Sequence, residues 1–313
     1  MSHARPSQVT RLVRTLRRGS PRCYVLVHHD YRKSYLDPEP LEEPGAVTIM
    51  RAADPIEWGD FSIVAAALRA LEWVHRHVEY DWIVLLSGQD YPVRPLAEIE
   101  AQLAASGHDA FVEVDAVVAP PRGMSHADAD GGGLARRYYF RYARLPAPTL
   151  RAPALMRRVA RRIALGLSDH QPFVAVHPMP PGVPWRVGVR RRRTPFSSDR
   201  PCVKGSFWMT LSRRAVAKTL ATIEREPALL RHYRRAILPD ESLLQTIVLA
   251  GNGLDVSSTA VRYVSWPSSS SPNPRTLTAA DLGVIVGSPA HFARKFDEQV
   301  DVTALDRLDR GET

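Results

Sequence analysis

The fold is decided by one stretch of sequence, Trp82-Ile83-Val84-Leu85-Leu86-Ser87-Gly88-Gln89-Asp90-Tyr91-Pro92. Its first five residues form an apolar run of strand length, which predicts a buried strand, and the residues that follow predict a turn. Two other apolar segments, 24–27 and 46–50, predict earlier strands. Apolar residues at helical spacing over 63–74 predict a helix just before the quoted strand, capped by Ser62.

The same alternation continues beyond this stretch. A helix is predicted over 96–103, a strand over 110–114, and a strand over 206–211 that leads into a helix from Arg213. This order is typical of a doubly wound α/β sheet, which binds ligands at the carboxyl ends of its strands. The helix predicted over 6–16 has no strand before it, so we expect the first strand of the sheet to lie upstream of the given start.

Composition narrows the range of partners. The chain has 313 residues, a hydrophobic content of 44% and a formal net charge of +9 at pH 7. A core of domain size can therefore form, and the positive charge favours phosphorylated small molecules, nucleic acid or a membrane surface. The two cysteines, Cys23 and Cys202, cannot build a disulfide framework or a four-ligand zinc site. Neither a signal peptide nor a membrane-spanning run is visible, which predicts a cytoplasmic location.

Two adjacent cations, Arg294 and Lys295, lie between Phe292 and Phe296. A cation pair fixed by aromatic neighbours is suited to hold a diphosphate. In many nucleotide-sugar transferases the strand equivalent to 82–86 ends in Asp-x-Asp, whose carboxylates hold a divalent metal. Here Ser-Gly replaces the first carboxylate, so we expect no metal and expect the cation pair to balance the diphosphate. The alternative interpretation of this strand end is a plain strand-to-turn junction.

Two acidic pairs are candidates for chemistry. Asp128-Ala129-Asp130 is a literal Asp-x-Asp, but no strand precedes it, and we interpret it as the composition of a glycine-rich loop. Asp240 and Glu241 precede an apolar helical run, where acidic residues favour the positive end of the helix dipole. If Asp240 caps this helix, Glu241 is free to face a cleft as a general base.

Three segments carry side chains that suit a carbohydrate. The Gly205-Ser206 turn lets the backbone approach a sugar closely, and Trp208 can stack on a pyranose ring, although an aromatic residue in a strand is more often part of the core. Trp266 stands just before a loop, which favours a ligand platform. Arg275 precedes a helix that Thr278 is expected to cap, and a lone arginine at such a position is usually solvated.

Taken together, these segments resemble the core-2/I-branching β-1,6-N-acetylglucosaminyltransferase and xylosyltransferase family. The matching motifs follow the family's order over nearly the whole chain: Val27-His28-His29-Asp30, Trp58-Gly59, Leu86-Ser87-Gly88-Gln89-Asp90-Tyr91-Pro92, Gly205-Ser206, Pro239-Asp240-Glu241, Arg275-Thr276-Leu277 and Phe292-Ala293-Arg294-Lys295-Phe296-Asp297. Each motif is weak alone, and their common order argues against chance.

The resemblance implies a GT-A type α/β fold, a mixed sheet with helices on both faces. A single domain would span 1–305, with a nucleotide-binding half over 1–116, an acceptor-binding and catalytic half over 117–305, and a tail at 306–313. The implied reaction is an inverting transfer of N-acetylglucosamine or xylose from a UDP-sugar to a hydroxyl group of a glycan or another acceptor. Neither a metal nor another cofactor is expected.

The resemblance also gives each motif a role. Glu241 is the base that takes the acceptor's proton, and Arg275 and Lys295 stabilise the departing diphosphate. The expected donor-binding residues are His28, Asp30, Trp58, Gly59, Asp90 and Arg294. The expected acceptor-binding residues are Gly205, Ser206, Trp208 and Trp266.

Other interpretations stay open at this point. The family's first strand contributes to its uridine pocket, so the chain could be a glycan-binding module that has lost catalysis. The run Arg190-Arg191-Arg192-Arg193 and the net charge suggest a nucleic-acid-binding protein, but no helix-turn-helix, zinc or single-strand-binding motif accompanies them. Residues 157–167 predict a basic amphipathic helix that rests on an anionic membrane, which would give the enzyme a peripheral location at the inner face of that membrane.

Overall fold

The structure is a computed structural model. It describes residues 1–41, 43–52, 55–120, 133–145, 156, 159, 162, 166, 172–177, 183–251, 253–268, 271 and 273–312. Two predicted features, the Asp128-Ala129-Asp130 motif and most of the amphipathic helix over 157–167, lie outside the described residues.

The chain alternates helices and short strands. The helices are α1 (Pro6–Gly19), α2 (Phe61–His77), α3 (Leu96–Ala105), α4 (Gly133–Tyr139), α5 (Arg213–Arg225), α6 (Pro227–Tyr233), α7 (Leu243–Val248), α8 (Leu282–Val286) and α9 (Val302–Arg310), with 3₁₀ turns at Pro239–Glu241 and Ala279–Asp281. The strands are β1 (Val25–His29), β2 (Val47–Arg51), β3 (Trp82–Val84), β4 (Tyr91–Pro92), β5 (Ala110–Phe111), β6 (Val114–Val117), β7 (Phe140–Arg144), β8 (Val174–His177), β9 (Arg186–Arg190), β10 (Val203–Gly205), β11 (Thr210–Ser212), β12 (Val256–Ser257), β13 (Arg262–Val264) and β14 (Phe292–Arg294).

The sheets combine parallel and antiparallel pairs. The largest group of strands has the order β12-β5-β11-β3, in which β11 runs antiparallel to both neighbours and β12 runs parallel to β5. Strands β1 and β2 are parallel, as are β13 and β14, while β4 joins β14 in the antiparallel sense. This confirms the predicted α/β class with mixed sheets and fits the GT-A type. Because β3 and β5 precede residue 117 whereas β11 and β12 follow it, the two predicted halves share one sheet.

Packing extends the folded part of the chain beyond the predicted boundary at residue 305. The side chains of Ala304 and Leu305 in α9 are fully buried in the same core cluster as Tyr91 and Phe296. The Tyr91 hydroxyl donates to Asp309 Oδ1 at 2.7 Å, which fixes the last turn of α9. Residue 306, the predicted start of the tail, lies inside this helix.

The first residues of the chain lie between β1 and the end of β3. Ser2 N donates to the carbonyl of His28 at 2.9 Å, and Gly88 N donates to the carbonyl of Met1 at 3.0 Å. A Cβ at Gly88 would lie 2.9 Å from Val9 Cγ2 and 3.2 Å from Ser2 Cβ. Glycine therefore allows this close packing against the strand end. The predicted strand upstream of the start stays a prediction.

Two local predictions needed correction. The cap of α2 is Asp60, whose carboxylate accepts a hydrogen bond from Ser62 N at 3.1 Å, because Ser62 already lies inside the first turn. The strand predicted over 206–211 pairs only at Thr210–Ser212. The start of the following helix at Arg213 was correct, and Thr278 begins the 3₁₀ turn at Ala279–Asp281 as expected.

None of the helices in the described part of the chain is both long and apolar enough to cross a membrane.

Candidate active site

The predicted base, Glu241, stands at the end of the 3₁₀ turn Pro239–Glu241 and is partly exposed. Its Oε2 atom lies 3.0 Å from Arg137 Nη1 and 3.9 Å from Lys204 Nζ, and 31% of its side chain is accessible to solvent. The carboxylate thus lies between two cations and is open to solvent on one side, so an acceptor hydroxyl group could reach it.

Asp240 does not cap the following helix, contrary to the prediction. The helix α7 has no side-chain cap, and Asp240 Oδ1 is buried with no hydrogen-bond partner among the described residues. Burial raises the pKa of this carboxyl group to about 7, with a further contribution from the negative charge of Glu241. This buried carboxyl group, with one oxygen unpartnered among the described residues, is a second titratable group beside the predicted base.

A buried glutamine, Gln245, ties the predicted acceptor segment to the base turn. Its Nε2 donates to the carbonyl of Ser206 at 2.8 Å and to the carbonyl of Asp240 at 3.0 Å. A Cβ at Gly205 would lie only 2.0 Å from the carbonyl oxygen of Glu113, so only glycine fits there. Gln245 was not predicted, because a glutamine in the interior of a helix leaves no distinctive sequence pattern.

The loop that carries Trp58 and Gly59 also lies against the base turn. Leu238 N donates to the carbonyl of Gly59 at 3.2 Å, and Gly59 adopts φ +71°, which glycine tolerates. The side chain of Trp58 is 45% exposed. The structure therefore brings this predicted donor-side pair next to Pro239–Glu241, on the side of the base.

The predicted diphosphate clamp has its two cations available. The guanidinium of Arg294 lies over the Trp208 ring, 4.6 Å from its centre, and no described carboxylate pairs with it. Burial lowers the pKa of Arg294, the nearby Arg262 adds to this, and Asp90 opposes it. Lys295 also forms no ion pair with a described residue, and its carbonyl accepts from Leu277 N at 2.9 Å.

Arg275 approaches the clamp but carries a carboxylate partner. Its backbone N donates to the Ser265 carbonyl at 2.7 Å, two residues before the contact between Leu277 and Lys295. Its guanidinium binds Asp281 through two contacts of 3.0 and 2.6 Å. Its predicted role in the clamp would therefore require Arg275 to leave Asp281.

Asp90, predicted to contact the donor, has both carboxylate oxygens bound within the protein. Oδ1 pairs with Arg262, and both side chains are almost fully buried. Oδ2 accepts from Ser87 N at 2.6 Å and from the Ser87 hydroxyl. Asp90 thus anchors the turn after β3 and holds Arg262, which lies near Arg294.

The other predicted donor residues stand at the end of β1. Asp30 is buried and accepts backbone hydrogen bonds from Arg32 N at 3.2 Å and Ile56 N at 3.4 Å. The ring of His28 is also buried, and both of its nitrogens lack a partner among the described residues. Burial lowers the pKa of His28 to about 4, so its imidazole is neutral at pH 7.

Two acidic residues of the site were missed from the sequence. Glu113 directly precedes β6 and Asp115 lies within it, and Asp115 forms an ion pair with Lys204. Burial and the charge of Asp115 raise the pKa of Glu113, while Lys204 and Arg262 oppose this. An acidic pair directly after the apolar segment 110–112 was the pattern that could have revealed them.

Of the remaining predicted residues, some are exposed to solvent and others are buried. Trp266 is 53% exposed, as a ligand platform requires. Within the arginine run, Arg191 turns inward, and its guanidinium donates to the carbonyls of Phe140 at 3.1 Å and His232 at 2.8 Å. Burial lowers the pKa of Arg191 to about 10. The run is therefore not a continuous solvated surface for nucleic acid.

No group of three or more metal-ligating side chains occurs among the described residues. Because Asp128 and Asp130 lie outside them, metal independence stays a prediction.

Comparison with known protein families gives one match. Residues 4–121 match the family model of the core-2/I-branching enzymes, which are glycosyltransferases, and this confirms the resemblance over that part of the chain. No curated protein matches the chain. The matched region contains the predicted donor-binding residues up to Asp90, whereas Glu241, Arg275 and Lys295 lie beyond it and keep their roles as predictions.

Proposed function

We propose that this chain, whose residues 4–121 match the family model of the core-2/I-branching enzymes, is a glycosyltransferase that transfers N-acetylglucosamine or xylose from a UDP-sugar to a hydroxyl group of a glycan or another acceptor. In the proposed reaction the acceptor oxygen attacks the anomeric carbon directly, which inverts its configuration. Cationic side chains, and no metal ion, stabilise the departing diphosphate.

One observation carries the proposal: the short segment 205–208 is linked to the base turn through Gln245 and contacts the cation clamp directly. At its start, Ser206 and Asp240 share the amide of Gln245. At its end, Trp208 packs under Arg294. A sugar bound along this segment would have a carboxylate base near one end and cations near the other, as a direct displacement requires.

The proposed chemistry assigns one step to each group. As the acceptor oxygen bonds to the anomeric carbon, its proton passes to a carboxylate oxygen of Glu241. The bond between that carbon and the diphosphate oxygen breaks, and its electron pair stays on the phosphate. Arg294 and Lys295 stabilise this new negative charge, and Arg275 contributes once it leaves Asp281.

The test is a measurement of UDP release by the full chain with UDP-N-acetylglucosamine, UDP-xylose, UDP-glucuronate and UDP-glucose, with the anomeric configuration of the product read by NMR. Glu241→Gln is expected to lower kcat by about a hundredfold to ten-thousandfold and to leave UDP affinity nearly unchanged. Glu224→Gln, at an exposed position of α5, is the matched control.

Full turnover by Glu241→Gln, or a product with retained configuration, would refute the mechanism. Binding of glycans without UDP release from any donor would instead support a non-catalytic module. Activity is also expected to survive EDTA, and a strict need for a divalent metal would refute metal independence and direct attention to Asp128 and Asp130.

Contact with an anionic membrane is a further part of the proposal. The sheet β7-β9-β8 exposes the paired residues Val174 and Val189 beside the exposed Arg141, and the chain carries a net charge of +9. Apolar side chains among cations suit the surface of an anionic bilayer. Flotation with phosphatidylglycerol vesicles should recover the protein, while neutral vesicles should not; equal recovery with both would refute an electrostatic contact.

A further inference from the structure

An ammonium group sits between two carboxylates at the centre of the site. Lys204 Nζ forms an ion pair with Asp115 and lies 3.9 Å from Glu241 Oε2. The side chain of Lys204 is largely buried. One positive charge therefore links the predicted base to an acidic residue of another strand.

A β-bulge brings these groups together. Strands β10 and β6 are antiparallel, with Gly205 opposite Val114 and Lys204 opposite Ala116, so Asp115 is an extra residue in β6. Such bulges turn side chains away from the regular alternation and are frequent beside active sites. Here the bulge lets Asp115 and Lys204 meet on the side that faces Glu241.

The choice of lysine is itself informative. The chain contains 42 lysines and arginines, and only four of them are lysines. Two of the four, Lys204 and Lys295, belong to the site described above. An ammonium is a compact point charge, whereas a guanidinium is a planar fork. A gap between two carboxylates close to the backbone of Gly205 suits the smaller group.

The charged and titratable groups that surround Glu241 come from several elements. They are Arg137 and Tyr138 on α4, Lys204 on β10, Asp240 in the same turn, and Asp115 and Glu113 reached through Lys204. Without the ammonium, Glu241 would face two or three acidic groups and keep only one cation. A carboxylate in that setting takes up a proton more readily and stops acting as a base.

We propose that Lys204 is a positioning residue that acts through Glu241: its ammonium joins Asp115 to Glu241, and so keeps the base ionised and fixed for the acceptor. This inference rests on the proposed function, because it assumes that Glu241 is the base. Lys204 itself touches neither the donor nor the acceptor.

The test compares the pH profiles of kcat. The acidic limb of this profile is the range in which kcat falls as the pH is lowered. Lys204→Met should move this limb to higher pH by about one to three units, with the KM for UDP-sugar nearly unchanged. In the double variant with Asp115→Asn, the acidic limb should move part of the way back, because the second substitution removes the negative charge that Lys204→Met leaves unpaired. Lys204→Arg should restore the wild-type limb only in part. Lys218→Met, which removes a lysine of α5, is the control and should leave the profile unmoved.

Two results would overturn the inference. An unmoved acidic limb in Lys204→Met together with a raised acceptor KM would make Lys204 a direct acceptor contact. An unmoved limb with only a lower Tm would make it structural. If Lys204→Met does not fold, the single variant Asp115→Asn tests the inference. The acidic limb of its kcat profile should move to lower pH, because the ammonium of Lys204 then pairs with Glu241 only. Turnover by Glu241→Gln would refute the base itself and is measured separately.

Discussion

The guanidinium of Arg294 lies 4.6 Å from the centre of the Trp208 ring. One of these residues was predicted to bind the donor and the other the acceptor, yet they form a single stacked pair. The aromatic face attracts the cation and replaces part of the hydration that Arg294 loses on burial. This stacking explains how a cation without a described carboxylate partner can stay charged inside the site.

The first prediction follows from this pair. Trp208→Leu should keep part of the apolar volume but remove the aromatic face. It should weaken UDP binding by about twofold to thirtyfold, because a cation–π contact is worth about 0.5–2 kcal/mol. Trp208→Phe should lose less, because a phenyl ring keeps a weaker face. Calorimetric titration with UDP measures both. Equal affinity in wild type and Trp208→Leu would contradict the role of the stack.

A second prediction ranks the cations of the clamp. Lys295→Ala should weaken UDP binding more than Arg275→Ala, because Arg275 must first leave Asp281, to which it is bound at 2.6 Å. The same titration gives both dissociation constants. Arg310→Ala, on the exposed end of α9, is the control. A larger loss in Arg275→Ala than in Lys295→Ala would show that the Asp281 contact does not hold Arg275 back.

The predictions from the sequence were correct where apolar residues recur at the spacing of a helix or form a run of strand length. The alternation of apolar strands and amphipathic helices predicted the α/β class, and the helix start at Arg213 was correct because a serine cap precedes an apolar stripe. The adjacent motif at Asp240 and Glu241 was located, but the roles of its two members were not. A cap and a buried carboxyl look alike in sequence, because burial depends on residues that are distant along the chain.

The groups that sequence reasoning missed are those that tertiary packing brings together. Gln245 binds Ser206 from 39 residues away, and Lys204 reaches Asp115 from 89 residues away. Neither contact leaves a local pattern. Asp90 shows the converse case: its motif was recognised, but only the structure shows that Arg262 occupies its carboxylate.

The third prediction concerns this buried ion pair. Asp90→Asn leaves the Arg262 guanidinium buried without a counter-charge, and it should lower the free energy of unfolding by about 3–5 kcal/mol. Urea unfolding followed by circular dichroism gives this value. Glu312→Gln, which breaks the solvent-exposed contact with Arg310, should have little effect. A small loss in Asp90→Asn would mean that water or Glu113 takes over the pairing.

The fourth prediction tests the close approach at the bulge. Gly205→Ala would set a methyl group 2.0 Å from the carbonyl oxygen of Glu113, so β10 and β6 must move apart. The cost should be about 1–3 kcal/mol of stability, together with a loss of turnover, because Lys204 moves with the strand. Gly107→Ala meets no atom within 4 Å and is the matched control. Thermal unfolding and UDP release measure the two effects, and unchanged values for Gly205→Ala would contradict the geometry.

The last prediction uses the pKa of Asp240, which burial raises from its ordinary value of 3.8 to about 7. Between these values the folded protein holds a proton that the unfolded chain has released, so this group makes the folded state less stable as the pH rises from about 4 to about 7. Asp240→Asn removes the titration. Its stability relative to wild type should therefore improve by a few kcal/mol between about pH 4 and pH 8. Urea unfolding of both proteins at the two pH values measures the difference; the same pH dependence in both would show that Asp240 is ionised in the folded protein throughout this range.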